Sequence, residues 1–224
     1  MKNPILSPLR QSPLDGGSGV IESRLASIVP VRSIRKLSAL DSLFLLLERR
    51  HAPFHVGALS LFRPPEGSPK DFVAQLVARL NRRPLAAAPF DRRLVTRNGL
   101  NYWESDPEFE IDQHFIHLAL PSPAQLTDLP AMVSRIHSAL LDRAYPLWRI
   151  YLIEGLDDGR VAIYSKIHHS VVDGVAAIRL MLKSMSPDPN TSAQMPPPWQ
   201  VKALQGTRPG AQVSAKERLT QLMG

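Results

Sequence analysis

The sequence predicts an α/β domain (α+β in detail, a mixed sheet flanked by helices) over residues 33–185. Three observations carry this. Apolar stripes at helical spacing alternate along the chain with short runs rich in β-branched and apolar residues. Two of those runs flank Gly155-Leu156-Asp157-Asp158-Gly159, a strong hairpin signal. The segments on either side of 33–185 are rich in Pro, Ser and Gly and lack periodicity, so they bound the domain.

Taken in order, residues 1–32 read as a disordered N-terminal tail. Leu37-Ser38-Ala39-Leu40-Asp41 opens a first helix with Ser38 as N-cap. Leu40, Leu43, Phe44 and Leu47 fall on one face, read as its core stripe. A strand follows over His55–Phe62. Ser68, Pro69 and Asp71 start a second helix, with proline where its missing N–H costs nothing; Phe72, Leu76 and Leu80 form its stripe. Residues 93–97 and 100–104 read as paired strands about an Asn98-Gly99 turn. A third amphipathic helix is predicted over 125–141, strands over 148–154 and 160–167, and a fourth helix over 172–185. Pro146 is expected to fix the entry to the strand at Trp148, itself read as a core aromatic. Residues 186–224 read as a Pro-rich linker and a truncated C-terminal segment, with a short helix over 214–223.

Composition excludes several classes. With no cysteine there is no disulfide framework and no thiolate chemistry. No run approaches the roughly 20 apolar residues of a membrane-spanning helix, and the first residues show no signal-peptide pattern. The net charge of +7 resides in the ends, because residues 37–189 hold seventeen cations and seventeen anions. Basic tails suit solubility, an anionic surface or nucleic acid, but no basic patch alternates with aromatics, so no nucleic-acid partner is expected. A cytoplasmic protein is the expectation. The Arg82-Arg83 and Arg92-Arg93 pairs read as solvated faces.

Chemistry concentrates in His168-His169-Ser170-Val171-Val172-Asp173-Gly174, where a strand ends and a helix begins. Adjacent strand residues point to opposite faces, so the two histidines should do different work. A neutral imidazole suits removal of a proton from a hydroxyl as its oxygen attacks, provided an acceptor holds its other ring nitrogen. Asp173 could pin the loop by binding an arginine, and Gly174 could permit close helix–strand approach or an unusual backbone angle. Two other readings of the residues stand beside this one. A metal-binding pair would want further ligands, and His114, His117 and Asp112 show no spacing that ties them to His168. Ser170 as nucleophile would want a GxSxG elbow, which is absent.

Four segments together resemble the wax ester synthase/diacylglycerol acyltransferase family. Leu37-Ser38-Ala39-Leu40-Asp41 with Phe44 and Glu48 is similar to its opening helix, and His55-Val56-Gly57-Ala58-Leu59 to its first strand. Asp142-Arg143-Ala144-Tyr145-Pro146-Leu147-Trp148, continuing to Leu152-Ile153-Glu154-Gly155-Leu156, resembles its Pro-Leu-Trp region, and residues 166–174 its active-site motif. The resemblance implies a CoA-dependent acyltransferase fold, like that of chloramphenicol acetyltransferase. It implies acyl-CoA as co-substrate without a cofactor or metal, and a diacylglycerol or long-chain alcohol as acceptor. The implied catalytic residues are His169 as base, His168 in support and Asp173 holding the loop through an arginine, with Gly174 structural. Hydrophobic substrates add the expectation of peripheral contact with a membrane face or lipid droplet.

Members of that family are about twice as long and carry two similar domains. The expectation is therefore a single N-terminal domain whose second half is missing, as a fragment, a truncated product or one part of a split enzyme, with little activity by itself. A catalytically inactive binding module and an acyltransferase using a carrier-protein thioester are the alternatives.

Overall fold

The computed structural model describes residues 34–82 and 85–201. The N-terminal tail over 1–32 and the short helix expected over 214–223 lie outside the described residues.

Among the described residues, seven strands and five α-helices follow one another: β1 Ile34–Lys36, α1 Ala39–Leu47, β2 His55–Phe62, α2 Phe72–Asn81, β3 Arg92–Arg97, β4 Leu100–Ser105, β5 Phe115–Ala124, α3 Leu129–Ser138, β6 Trp148–Leu156, β7 Val161–His168, α4 Gly174–Lys183 and α5 Pro189–Gln194. The main sheet has the order β2-β7-β6-β5, with β5 parallel to β6 and the other pairs antiparallel. A smaller sheet, β1-β4-β3, holds the Asn98-Gly99 turn, where both residues take positive φ as that turn requires.

Strand alternation divides the main sheet into two faces. Val161, Ile163, Ser165 and Ile167 of β7 look toward α2 and α4. Ala162, Tyr164 and Lys166 look toward α3, where Ala162 and Tyr164 pack with Met132, Val133 and Ile136. The β6–β7 hairpin turns as predicted. Gly155, at φ +99°, lies so close to Leu120 that an added Cβ would stand 2.9 Å from its carbonyl oxygen. Trp148 is fully buried, and its indole N–H donates to the Phe90 carbonyl at 2.8 Å, so it is a core residue.

Four sequence expectations change. First, α1 starts at its Ser38 cap, whose Oγ accepts from the Asp41 N–H at 3.0 Å, but it is rotated from the predicted face. It buries Asp41, Leu45 and Glu48 and leaves Leu40, Leu43 and Leu47 each nearly half exposed. Glu48 on the buried side meets Arg143 and His168 from the chain beyond, at 3.1 and 3.3 Å. Second, β5 has no counterpart in the prediction. Its Pro121 and Pro123 argue against a central strand, and it is accordingly an edge strand with a register shift between Ala119 and Ala124. Its length shortens the third helix, predicted from 125, to Leu129–Ser138.

Third, the segment read as linker from 186 belongs to the packed domain as far as Val201. Asp188 caps α5 by accepting from the Thr191 N–H at 2.8 Å, with Pro189 at the first turn where proline is tolerated. Trp199 is buried, 5.8 Å from the Trp148 ring and 5.5 Å from that of Phe115. Fourth, Arg92 and Arg93 are not a solvated face. Arg92 pairs with Asp91 at 3.1 Å and Arg93 with the buried Asp106 at 3.7 Å.

Candidate active site

β7 carries the chain into the site. The His168 N–H donates to Leu147 and the His169 N–H to Phe54, at 2.9 and 2.8 Å, so the pair is clamped between β6 and the start of β2. A turn closed by the Val171 N–H to the His168 carbonyl follows, and α4 then begins.

The two histidines have unlike surroundings. His168 is fully buried. Its Nδ1 lies 3.1 Å from the Ser170 N–H and 2.6 Å from the Ser170 hydroxyl. An amide can only donate, so Nδ1 is the acceptor and the proton sits on Nε2. That Nε2 faces Glu48 Oε1 at 3.3 Å, close but poorly aligned for a hydrogen bond. Glu48 in turn accepts from Arg143 at 3.1 Å and from the Phe54 N–H at 3.4 Å, and Arg143 also donates to the Leu45 carbonyl at 2.6 Å. Burial holds His168 below the usual histidine range. The Glu48 carboxylate opposes that shift, while Arg143 and His169 add to it. The result is a neutral imidazole fixed in one tautomer.

His169 is half-buried. Its ring packs at 4.9 Å from Phe44 of α1, which itself stacks on Phe54 at 5.6 Å. Among the described residues no acceptor holds its ring nitrogen, so the partner expected there is absent and aromatic packing orients it instead.

Of the three residues expected to be catalytic, only His169 can meet a substrate through its ring. His168, expected in support, has no accessible surface. Asp173 does not hold an arginine among the described residues. Its Oδ1 accepts from the Ala176 N–H at 2.7 Å, so the side chain is committed to capping α4. Arg143, from the Pro-Leu-Trp region, is spent on Glu48. Gly174 needs neither an unusual angle nor a tight approach. Its φ is not positive, and a Cβ there would meet nothing within 4 Å.

Beside this network lies a second buried polar group on the α3 face. The Lys166 ammonium donates to the Ile136 carbonyl at 2.8 Å and to that of Ala139, at the C-terminal end of α3 where a cation is favoured. Burial, with help from Arg149, brings Lys166 down to about 8, against the pull of Glu48. Tyr164, pushed up to about 12 by burial, hydrogen-bonds His137 Nδ1 at 2.6 Å. Gly57 must be glycine, since a Cβ would stand 2.6 Å from that Tyr164 hydroxyl.

The residues considered as metal ligands do not gather. His114 is buried against Trp148 at 4.5 Å and Phe109 at 5.0 Å and donates from Nδ1 to the Trp148 carbonyl; His117 pairs with Glu154 at 2.8 Å.

Neither Glu48 nor Arg143 was assigned a role from the sequence. Both stand within segments that resemble the family, and a carboxylate directly after the apolar run of residues 43–47 was the available signal.

The architecture is shared with condensation domains. The first condensation domain of the calcium-dependent antibiotic synthetase superposes with a TM-score of 0.51 at 18% identity, over 69% of this chain and 37% of that one, a likeness of fold alone. The class is thus the chloramphenicol acetyltransferase-like acyltransferase fold. Residues 37–224 match the model of the wax ester synthase/diacylglycerol acyltransferase catalytic domain, and the chain belongs to that family. The O-acyltransferase WSD of Acinetobacter baylyi is 44% identical over 176 residues, 78% of this chain and 37% of that protein. The solved wax ester synthase/diacylglycerol acyltransferase from Marinobacter aquaeolei VT8 matches with a TM-score of 0.71 at 44% identity, covering 74% of this chain and 42% of that one. The chain therefore spans about two fifths of the length of these relatives.

Proposed function

We propose that the chain carries the general base of an acyl-CoA-dependent O-acyltransferase that esterifies a diacylglycerol or long-chain alcohol. The observation that carries this is the division of labour in the histidine pair, one ring buried, neutral and locked, its neighbour half-open beside Phe44. His169 takes the hydroxyl proton as the acceptor oxygen attacks the thioester carbonyl. The tetrahedral intermediate collapses, the C–S bond breaks, and the proton passes from His169 to the departing CoA thiolate. His168 shapes the loop that presents His169, and Glu48 with Arg143 keeps His168 in place. Family membership and the names of the relatives support the substrate class.

The reaction is measured as CoA thiol released from palmitoyl-CoA in the presence of hexadecanol or a diacylglycerol, using the protein expressed from its gene. His169→Ala should lower turnover by about 10²- to 10⁴-fold, the usual range for a general base, with an unchanged melting temperature. No turnover with any such acceptor, or turnover indifferent to His169→Ala, overturns the proposal.

Peripheral contact with a lipid surface is part of the same reading. No helix among the described residues is long and apolar enough to cross a membrane. Leu40, Leu43, Leu46 and Leu47 stand exposed on α1, the helix that also holds Phe44 against His169. Co-flotation with phosphatidylcholine vesicles containing diolein should be weakened by Leu43→Ser with Leu46→Ser; equal flotation of the variant counts against it.

A further inference from the structure

The C-terminal end of α3 is fastened to the two strands that lead to the histidine pair, and a buried cation that takes no part in the acyl-transfer steps does most of the fastening. We propose that Lys166 is a positioning residue: its ammonium, bound to carbonyls at the end of α3, fixes the His168 ring and through it the loop that presents His169. What this does for turnover rests on the proposed acyl transfer; the hold on His168 rests on the geometry alone.

Three carbonyls at that helix end have side-chain partners. Lys166 donates to Ile136, at 2.8 Å, and to Ala139, and His55 donates to His137 at 2.6 Å. A helix leaves its last carbonyls without partners of its own and gathers negative potential there, so a cation is the strongest partner available. The donors stand beside the buried histidine. Lys166 precedes His168 by two residues on β7 and shares its face of the sheet, and His55 of β2 pairs directly with His168.

The same helix end leads to the groups that hold the histidine pair. Four residues past Ala139 the chain reaches Arg143, and four further on Leu147. Arg143 holds Glu48, Glu48 faces His168 Nε2, and the Leu147 carbonyl accepts the His168 N–H. On the other side Phe54, next to His55, accepts the His169 N–H. Lys166, Ala139, Arg143, Glu48 and His168 thus form a closed ring around the buried imidazole.

Charge is what the position requires. A neutral amine would keep both contacts but lose the charge assistance that makes such bonds about twice as strong. Around Lys166 stand Arg149, its partner on β6, His55 on β2, His137 and Tyr164 over Gly57, and Glu48 after α1. Glu48 is the one carboxylate among them, and Arg143 shares it. Burial, with Arg149, brings Lys166 down from 10.5 to about 8. Between those values the unfolded chain binds the proton and the folded chain does not, so this titration raises stability as pH rises. A loss of function there is therefore not unfolding.

The test is a pH series from about 7 to 9.5 on protein carrying 15N-labelled histidine, with the His168 ring signals assigned by their loss in His168→Gln. His168 stays neutral over that range, so a shift of its signals reports a neighbour. They should move with a midpoint near 8 in the wild-type protein and stay fixed in Lys166→Met, which keeps the length of the side chain without its charge. Turnover, followed by CoA release, should fall across the same midpoint while the melting temperature does not. At pH 7 Lys166→Met should lower kcat about 10- to 100-fold with KM changed less than about twofold, and its rate should show no step near pH 8. Lys166→Arg, whose charge is permanent, should hold both the His168 signals and the rate level through the series, and it decides the matter if Lys166→Met does not fold. A residue that only filled space would change the melting temperature and leave the pH response in place. His168 signals indifferent to pH in the wild-type protein, or the same shift in either folded variant, overturn the inference. A His168 response in a protein without turnover would sink only the acyl-transfer reading.

Discussion

A neutral, buried imidazole is costly to charge, and this molecule has several. His55 and His114 are brought down to about 4, mainly by burial, and His168 is lowered for the same primary reason. Their partners explain the arrangement. His114 gives its one proton to the Trp148 carbonyl and stacks as an aromatic would; His55 gives its own to the His137 carbonyl at 2.6 Å. An unfolded chain binds these protons near pH 6.5, whereas the folded protein refuses them until about pH 4 for His55 and His114. Their contribution to stability is therefore complete above about pH 7 and drains away as pH falls from about 6.5 toward 4. The slope approaches about 1.4 kcal/mol per pH unit for each fully shifted histidine, discounted for His55, the less buried of the two. Urea midpoints at pH 7.5, 6 and 5 measure this, and a constant midpoint would contradict it. Such a molecule keeps His168 uncharged across the physiological range, so it does not repel a proton arriving on His169.

Helix ends, rather than helix middles, organise the site. α1 ends at Glu48, which reaches the histidine pair; α3 ends over Lys166; α4 begins at Asp173. Asp173 is the element where a charge role and a capping role make different predictions. A cap needs only an oxygen acceptor, so Asp173→Asn should be nearly neutral in stability and activity. Asp173→Ala should cost about 1 kcal/mol, read in thermal unfolding, with activity reduced far less than in His169→Ala. Equal and severe loss in Asn and Ala variants would restore a charge-based role. The amphipathic pattern of α1 was legible, as was its cap at Ser38, but not which face turns inward. That choice depends on Arg143 and His168, which arrive from residues about a hundred positions later. β5 was illegible for a related reason, since its prolines exclude a central place and only its partner β6 shows that it stands at an edge.

At the scale of the whole molecule, the segment beyond α4 closes the domain. Trp199 joins Trp148 and Phe115 in the main core, and its neighbours line an apolar cavity. Replacing Trp199 by alanine should lower the free energy of unfolding by about 3–5 kcal/mol, the usual cost of removing a buried large aromatic, measured by urea titration. A loss below about 1 kcal/mol would mean that residues 186–201 are the loose linker their prolines suggested. The composition of that segment misleads because proline counts against helix interiors and central strands, yet is compatible with a helix start at Pro189 and with the short turn from Pro198 that buries Trp199.

What the sequence determined alone is local. Turn chemistry specified the β6–β7 hairpin and the β3–β4 turn, a cap residue marked the start of α1, and the run of residues 168–174 marked the strand-to-helix junction where the chemistry sits. Each of these is decided by neighbours within a few positions, so each can be read in one dimension. Tertiary structure alone decided that His168 is sealed and His169 open, that Glu48 and Arg143 hold the first, that Asp173 is a cap, and that Gly174 opens on a cavity. Burial and pairing across a hundred residues are set by how the elements pack, and adjacent identical side chains differ only through the faces to which the strand turns them.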